Sequence, residues 1–462
     1  MSRVDRSRLP APAPDPPFRF PAVERRRLSN GLAVWTVEHR EVPVVAMLLL
    51  LSSGAAEDPD DRPGLAALTA DMLDEGSGER SALDLEAAFA RLGAQFDTEI
   101  GPDATLLSAL ALARRRDDIL ALMADVARRP RLADEDFARV RDLRLNRLLQ
   151  LRDLPAAVAD RTLTRLLYQG HPYGHLPIGT APSLRATGVD EVRRFHARVW
   201  KPCRMTLIMA GDGTHDELFE SAERAFGDWR PPADEEDGFV PRAVDTAPAR
   251  TSPVVALVPR QGAAQSEIRL GQVAVPRRTP DYHALILGNA ILGGQFVSRL
   301  NMNLREQKGY TYGVRSGFDF RQGPGPFLVQ AAVQTQATAD AVRETLAETL
   351  ADVRSAVNDW PKMQAAMAAD ADSIAAATDS NEGADLLRWL KDGMLTQLGH
   401  VTRHRDGTYS QALGICRKSA RPLLGEPSYK RAFEWFDKAG KRPRAPLVIK
   451  SNRLSTVHRR VP

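Results

Sequence analysis

The chain has 462 residues, 43% hydrophobic and 26% charged, with a formal net charge of +4; this excludes a single small module, a disordered or collagen-like chain, and a nucleic-acid binder on overall charge alone. The charge is uneven: residues 401 to 462 carry 15 Lys and Arg against 4 Asp and Glu, so the remainder is net acidic. Two cysteines, Cys203 and Cys416, build no disulfide framework and stand in no C-x-x-C, which permits a reducing compartment.

Residues 1–21, with Arg3, Arg6, Arg8 and six prolines, read as a disordered leader. Leu28-Ser29-Asn30-Gly31-Leu32 is a turn signal, and Ala33–Val37 and Val42–Ser52 read as strands, the second buried on both faces. The apolar run from Val42 to Leu51 is about half of what a membrane span needs. With Ser52 to Ala56 it imitates a signal peptide, but Glu24, Glu38 and Glu41 precede it, which favours a buried strand and a cytoplasmic chain, or a periplasmic one if the true start lies upstream. Helices are expected at Gly64–Leu73, at Ser81–Leu92 behind a capping box of Ser81 and Asp84, over 116–152 with Pro130 as punctuation, and over 156–168. A strand at Met205–Ala210 ends in Gly211-Asp212.

Pro231 to Pro253 lacks apolar periodicity and reads as a linker. Strands are then expected at Val254–Val258, Glu267–Val273 and Phe327–Val333, with helices at Asp281–Leu292, Ala337–Val357 and Glu382–Leu398. Superposing Ala67-Leu68 on Ala284-Leu285 gives a weak internal repeat of paired strands followed by a glycine-ended helix. Beyond His400 periodicity fades, apart from a short strand at Pro446–Lys450. The basic clusters there fit either an anionic surface or a solvated tail, and the solvated tail is the plainer reading.

The chemical motifs begin with absences. There is no H-E-x-x-H, G-x-S-x-G, Walker loop or G-x-G-x-x-G after a strand. His171 and His175 are separated by Pro172 and Gly174, which make a turn rather than a shared helical face; His400 and His404 have no acidic neighbour to complete a metal site. A denser cluster runs from Gly293 through Leu304-Arg305-Glu306-Gln307-Lys308-Gly309-Tyr310-Thr311-Tyr312. A helix capped by Gly309 turning into a strand would let Arg305 and Tyr312 approach across the reversal. Two such donors suit a peptide carbonyl oxygen that gains negative charge, although an Arg and a Tyr at this spacing also serve in ion pairs and packing.

Several segments together resemble the pitrilysin/insulinase family of zinc peptidases, the inverzincins, and in particular its bacterial two-subunit type. They are Leu28 to Leu32, Gly54 with Glu57, Gly64-Leu65-Ala66, His171-Pro172-Tyr173-Gly174 with Pro177 to Thr180, Ala210-Gly211-Asp212, Gln265-Ser266, Leu292-Gly293-Gly294, Ser298-Arg299-Leu300, and Leu304-Arg305 through Tyr312, over about residues 24 to 335. The resemblance implies an α+β fold of two similar domains, each a mainly antiparallel sheet with helices packed on one face, as in processing peptidases and LuxS-like metallopeptidases. The expected division is a leader at 1–21, domains at 22–230 and 254–400 around a linker at 231–253, and a poorly matched basic tail at 401–462.

By the same resemblance Arg305 and Tyr312 are a substrate-clamping pair, whereas the family's H-x-x-E-H falls on Ala67-Leu68-Thr69-Ala70-Asp71. Its third ligand, a downstream glutamate, falls near Asn146 and Arg147. A methyl group neither coordinates zinc nor accepts a proton, so no metal and no cofactor is expected in this chain. The function implied is a non-catalytic subunit of a heterodimeric zinc metalloendopeptidase, binding a peptide or unfolded polypeptide against a homologous partner that carries H-x-x-E-H and the zinc, with no membrane or nucleic-acid partner. The alternative is a stand-alone pseudopeptidase that binds peptides or serves a structural role.

Overall fold

The computed structural model of the chain describes residues 21–230, 241–246 and 253–349. The leader, most of the linker, the Glu382–Leu398 and Pro446–Lys450 elements, Cys416, His400, His404 and the basic tail lie outside the described residues.

The first half is built on one six-stranded sheet. Its strands are β1 (Val23–Arg27), β2 (Ala33–Glu38), β3 (Val44–Leu51), β6 (Gln95–Ile100), β7 (Thr105–Leu112) and β8 (Met205–Gly211), in the order β1-β2-β8-β3-β7-β6. Only the β2–β8 pair is parallel. Between these strands run α1 (Leu65–Asp71), a two-residue ribbon of β4 (Gly76–Ser77) and β5 (Arg80–Ser81), α2 (Ala82–Leu92), α3 (Arg116–Arg128), α4 (Asp134–Asp153), α5 (Pro155–Tyr168), α6 (Ala181–Ala186) and α7 (Val189–Val199); α8 (His215–Phe226) follows the last strand. The helical region expected over 116–152 is two helices, divided around Pro130 as its sequence position implies, where proline withdraws a backbone donor. The capping box is present: Asp84 N donates to Ser81 Oγ at 3.2 Å, and Ser81 N to Asp84 Oδ2 at 3.3 Å.

β3 corrects an expectation. It was read as buried on both faces, yet Val45, Met47, Leu49 and Leu51 alone are fully buried, while their alternating neighbours are half-buried. The period of two decides this: one face of the sheet meets α1, α3, α7 and α8 in a single apolar core, and each large side chain there contributes about 1.5–3 kcal/mol. The long apolar run reflects a central strand flanked by β8 and β7, not two covered faces.

The second half repeats the plan. β9 (Gln265–Val273), β10 (Thr311–Phe318) and β11 (Pro326–Gln334) form an antiparallel sheet ordered β10-β11-β9. β3 starts at Val44 and β9 at Gln265, β7 at Thr105 and β11 at Pro326, so both antiparallel neighbours recur 221 residues on. α9 (Tyr282–Asn289) stands in the place of α1 and runs on as a π-helical turn, Ala290–Gly294. The short α10 (Arg299–Asn301) likewise continues as a π-helical stretch, Met302–Gln307. Residues 338–349 are helical, as expected for the start of the Ala337–Val357 segment. Val254–Val258 is a correction: no strand forms there among the described residues, and Val255 and Leu257 stand 94% and 86% exposed. β-branched composition favours an extended chain, but a strand needs a ladder partner.

The halves are joined by packing as well as by the chain. α5 lies on β9, with Leu163, Leu167 and Tyr168 in one cluster with Val244, Val273 and Leu328. Asp103 accepts from the Tyr173 hydroxyl at 2.5 Å and from Gln322 N at 2.7 Å; the same hydroxyl accepts from Gly323 N at 3.0 Å, and Tyr168 Oη donates to Pro324 O at 2.9 Å. Burial drives the phenol pKa values of both tyrosines well above the ordinary value. No helix among the described residues is long and apolar enough to cross a membrane.

At the edge of the core, the partly buried His196 on α7 hydrogen-bonds Ala127 O at 3.0 Å and stacks on Trp200. Burial lowers its pKa from 6.5 to about 4. The unfolded chain therefore takes up a proton that the folded chain refuses, so stability present above about pH 6.5 is lost as the pH falls toward 4. Thermal unfolding between pH 7 and 4.5 should show a loss of about 1–3 kcal/mol from this group, and His196→Phe, which keeps the stacking, should flatten that part of the profile.

Candidate functional site

Two places in the fold carry the residues singled out in the sequence. The first is the reversal between the π-helical stretch and β10. Gly309 adopts φ +65° and its N–H donates to Arg305 O at 3.2 Å, closing the helical stretch with a left-handed cap as its sequence position implies. Tyr310 N also donates back, to Leu304 O at 2.9 Å. The chain enters β10 through a bulge: Thr311 pairs with Val333 and Val314 with Ala331, so Tyr312 and Gly313 share one opposing residue. Thr311 Oγ1 fixes the bulge, donating to Ala332 O at 2.6 Å and accepting from Gly313 N at 3.1 Å. Bulges re-aim side chains, and this one turns Tyr312 outward, 92% exposed.

A buried amide ties this strand to the preceding helix. Asn301 Oδ1 accepts from Val314 N at 2.9 Å, while Nδ2 lies at 2.9 Å from Val314 O and at 3.1 Å from both Gln295 O and Ser298 Oγ. The side chain thus acts as one more rung beside β10. Ser298-Arg299-Leu300 each have a use: Ser298 is buried against Asn301, Arg299 pairs with Glu348 at 3.1 Å, and Leu300 enters the second core. Arg305 is well covered, its side chain 13% exposed. Its Nε donates to Glu306 Oε1 at 2.8 Å, its Nη2 to Phe296 O at 3.2 Å, and its guanidinium lies 3.5 Å from the centre of the Phe296 ring. Arg305 and Tyr312 therefore sit at the same reversal, and no hydrogen bond joins them.

The second place is α1, where the metal motif would lie. Its start is rigidly held: the fully buried Asp58 accepts from Gly64 N and Ala66 N, both at 2.6 Å, and lies 2.9 Å from His175 Nε2. Gly64 (φ +101°) and Gly179 (φ +76°) pass so closely that a Cβ on Gly64 would lie 2.8 Å from Gly179 Cα. This explains glycine in both the Gly64-Leu65-Ala66 and Pro177-Ile178-Gly179-Thr180 segments. His171 and His175 do not converge: His171 Nδ1 accepts from Tyr173 N at 3.1 Å inside an aromatic group, away from Asp58.

Ala67 and Ala70 are buried in the core. Asp71 is engaged by the Arg144 guanidinium, whose Nη2 also donates to Pro177 O at 2.9 Å. The sequence-based third-ligand positions, Asn146 and Arg147, are exposed on the far side of α4; Arg147 bonds Gln150. Distance along the chain pointed to them, whereas the helical stripe of Phe137, Val140, Arg144 and Leu148 turns Arg144 inward. A zinc ion needs three converging protein donors. Two methyl groups and an ion-paired carboxylate do not fit one, and no group of three or more His, Cys, Asp or Glu is placed to hold a metal among the described residues.

Two similar sheets, one beside a helix with Ala67, Ala70 and an ion-paired Asp71 and one leading from an Arg/Tyr reversal, form a metallopeptidase-type scaffold. The chain belongs to the insulinase, or M16, peptidase family: residues 33–181 match the family itself and residues 188–361 match the domain described as the peptidase M16 inactive domain. It is 28% identical over 343 residues to an uncharacterized zinc protease of Mycobacterium leprae, covering 72% of this chain and 74% of the relative. It is 22% identical over 331 residues to the zinc protease YmxG of Bacillus subtilis, covering 70% and 78%. A probable mitochondrial-processing peptidase subunit beta of Schizosaccharomyces pombe matches at 24% over 49% of each chain. In fold, the chain resembles a protease of Helicobacter pylori (TM-score 0.71, 20% identity, 90% and 97% covered) and a peptidase M16 inactive domain of Pseudomonas fluorescens (0.67, 21%, 96% and 95%).

Because Arg144 is buried, removing its counter-charge strands a guanidinium. Asp71→Ala should cost about 1–3 kcal/mol in thermal or denaturant unfolding. Adding Arg144→Met to that variant should recover part of the loss, since replacing both partners by apolar groups is close to neutral.

Proposed function

We propose that this chain is the non-catalytic subunit of a heterodimeric zinc endopeptidase, offering Arg305 and Tyr312 in trans to a peptide held over the zinc of a homologous H-x-x-E-H subunit. The carrying observation is the contrast between the two halves. Tyr312 presents its hydroxyl to solvent with no acceptor from its own chain among the described residues, while the metal helix of the same chain holds Ala67, Ala70 and an Arg-bonded Asp71.

Chemically, attack of a metal-activated water on a peptide carbonyl moves charge onto its oxygen. A guanidinium and a phenol placed to donate there each strengthen as that charge grows, by about 3 kcal/mol per donor. The partner's zinc would supply the nucleophile, and this chain would bind the substrate and hold the developing oxyanion. The exposed Phe296 and Val297 beside Arg305 add apolar surface that suits an extended, unfolded polypeptide. Relatives named as zinc proteases, and one named as a subunit of a processing peptidase, support a proteolytic setting shared between chains. The reading places both subunits in the cytoplasm, where neither Cys203 nor Cys416 needs a disulfide partner. A stand-alone peptide-binding or structural subunit would have the same α1 residues, and finding a neighbouring reading frame with intact H-x-x-E-H would separate the two readings in favour of the heterodimer.

Co-expression with such a homologue should yield a complex that cleaves an unfolded peptide. Tyr312→Phe should lower its turnover about tenfold or more with the complex intact; unchanged turnover rejects the role in trans. The isolated chain, dialysed against zinc and assayed by metal analysis, should retain no stoichiometric zinc, and chelators should leave its melting temperature unchanged.

A further inference from the structure

Arg305 owes its orientation to a loop that lies outside the Arg/Tyr pair. Two successive carbonyls of that loop are taken by side chains from the helical stretch: Gln295 O by Asn301 Nδ2 at 3.1 Å and Phe296 O by Arg305 Nη2 at 3.2 Å. The Arg305 guanidinium then sits over the face of the Phe296 ring, 3.5 Å from centroid to Cζ, close for a cation–π contact. The ring itself is 73% exposed, so apolar burial within this chain does not account for its position. With Nε on Glu306 and Nη2 on the loop carbonyl, Nη1 is the guanidinium nitrogen for which no acceptor occurs among the described residues.

We propose that Phe296 is a positioning residue for Arg305: its π face fixes the plane of the guanidinium so that Nη1 is the donor presented to a substrate carbonyl. This rests on the role proposed above for Arg305, but the geometric part stands apart from it. An unclamped arginine samples many rotamers, and each hydrogen bond to substrate then costs the ordering of a long side chain. Stacking removes that cost beforehand. Asn301 complements the arrangement from the other side, since one amide holds both the loop at Gln295 and the strand at Val314 beside the Tyr312 bulge.

The test compares Phe296→Leu, which keeps an exposed apolar side chain and loses the π face, with Phe296→Trp, which restores one. The Nε–H resonance of Arg305, assigned by its disappearance in Arg305→Lys, is followed by ¹⁵N relaxation in the full chain. A sharp, ordered signal in the native chain and in Phe296→Trp, lost or strongly broadened in Phe296→Leu with an unchanged melting temperature, is the expected result. An equally ordered signal in Phe296→Leu overturns the proposal. In the reconstituted heterodimer, Phe296→Leu should lower kcat about two- to fivefold, the size of one cation–π contact, with Phe296→Trp near native and complex formation unaffected. Native kcat in Phe296→Leu, in a complex whose turnover does fall with Tyr312→Phe, overturns it as well. An ordered-to-mobile change in a complex whose turnover ignores Tyr312→Phe would leave the positioning role standing and remove the role in trans.

Discussion

Burying a guanidinium costs several kcal/mol unless oxygen atoms meet its donors, and this requirement governs how the first half of the molecule closes. Arg144 stands in the apolar stripe of α4, and its two terminal nitrogens are met where α1 brings Asp71 and the segment before Gly179 brings the Pro177 carbonyl. Three separate stretches of chain are therefore drawn to one side chain. The Asp58 carboxylate does similar work at the opposite end of α1, gathering two backbone N–H groups at its start together with His175. α1 is thus held at both ends by the protein's own charges, with the methyl groups of Ala67 and Ala70 between them.

The second half meets a different constraint. An exposed tyrosine and a largely covered arginine must keep fixed directions at the edge of the fold. Hydrogen bonds take over: Thr311 holds the bulge, Asn301 fastens the strand to the helix, and Asn303 and Arg299 tie the helical stretch to Glu344 and Glu348 at 2.8–3.2 Å. The π-helical turns on either side of the Gln295–Val297 loop belong to the same economy of form, since such turns depart from regular helix where side chains must be redirected.

What could be read from the sequence follows from the range over which each signal acts. Local signals held: the Ser81 capping box, the Gly309 cap and the helix break at Pro130 are all set within a few residues. Contacts that depend on helical phase or on distant chain were not legible. Arg144 lies only one turn from the positions chosen by spacing, yet a shift of three residues on α4 moves a side chain from solvent to core. The double-sided burial assigned to β3 failed for a related reason: ten apolar residues in a row describe a central strand equally well whether one or two faces are covered. Val254–Val258 had the composition of a strand, and composition does not supply a ladder partner. Phe296 gave no signal at all, because an aromatic residue beside two glycines takes its meaning from an arginine nine positions on.

The ion pair at Asp71 has one further effect on how the molecule matures. A helix docked through a bound cation completes its fold only after that cation has been captured from the surroundings, and its integrity follows the supply. Arg144 and Asp71 belong to the polypeptide itself in fixed one-to-one ratio, so the docking of α1 through this pair draws on no outside cation. Transition-metal starvation, or a competing ion of the wrong size, finds nothing at this position to displace.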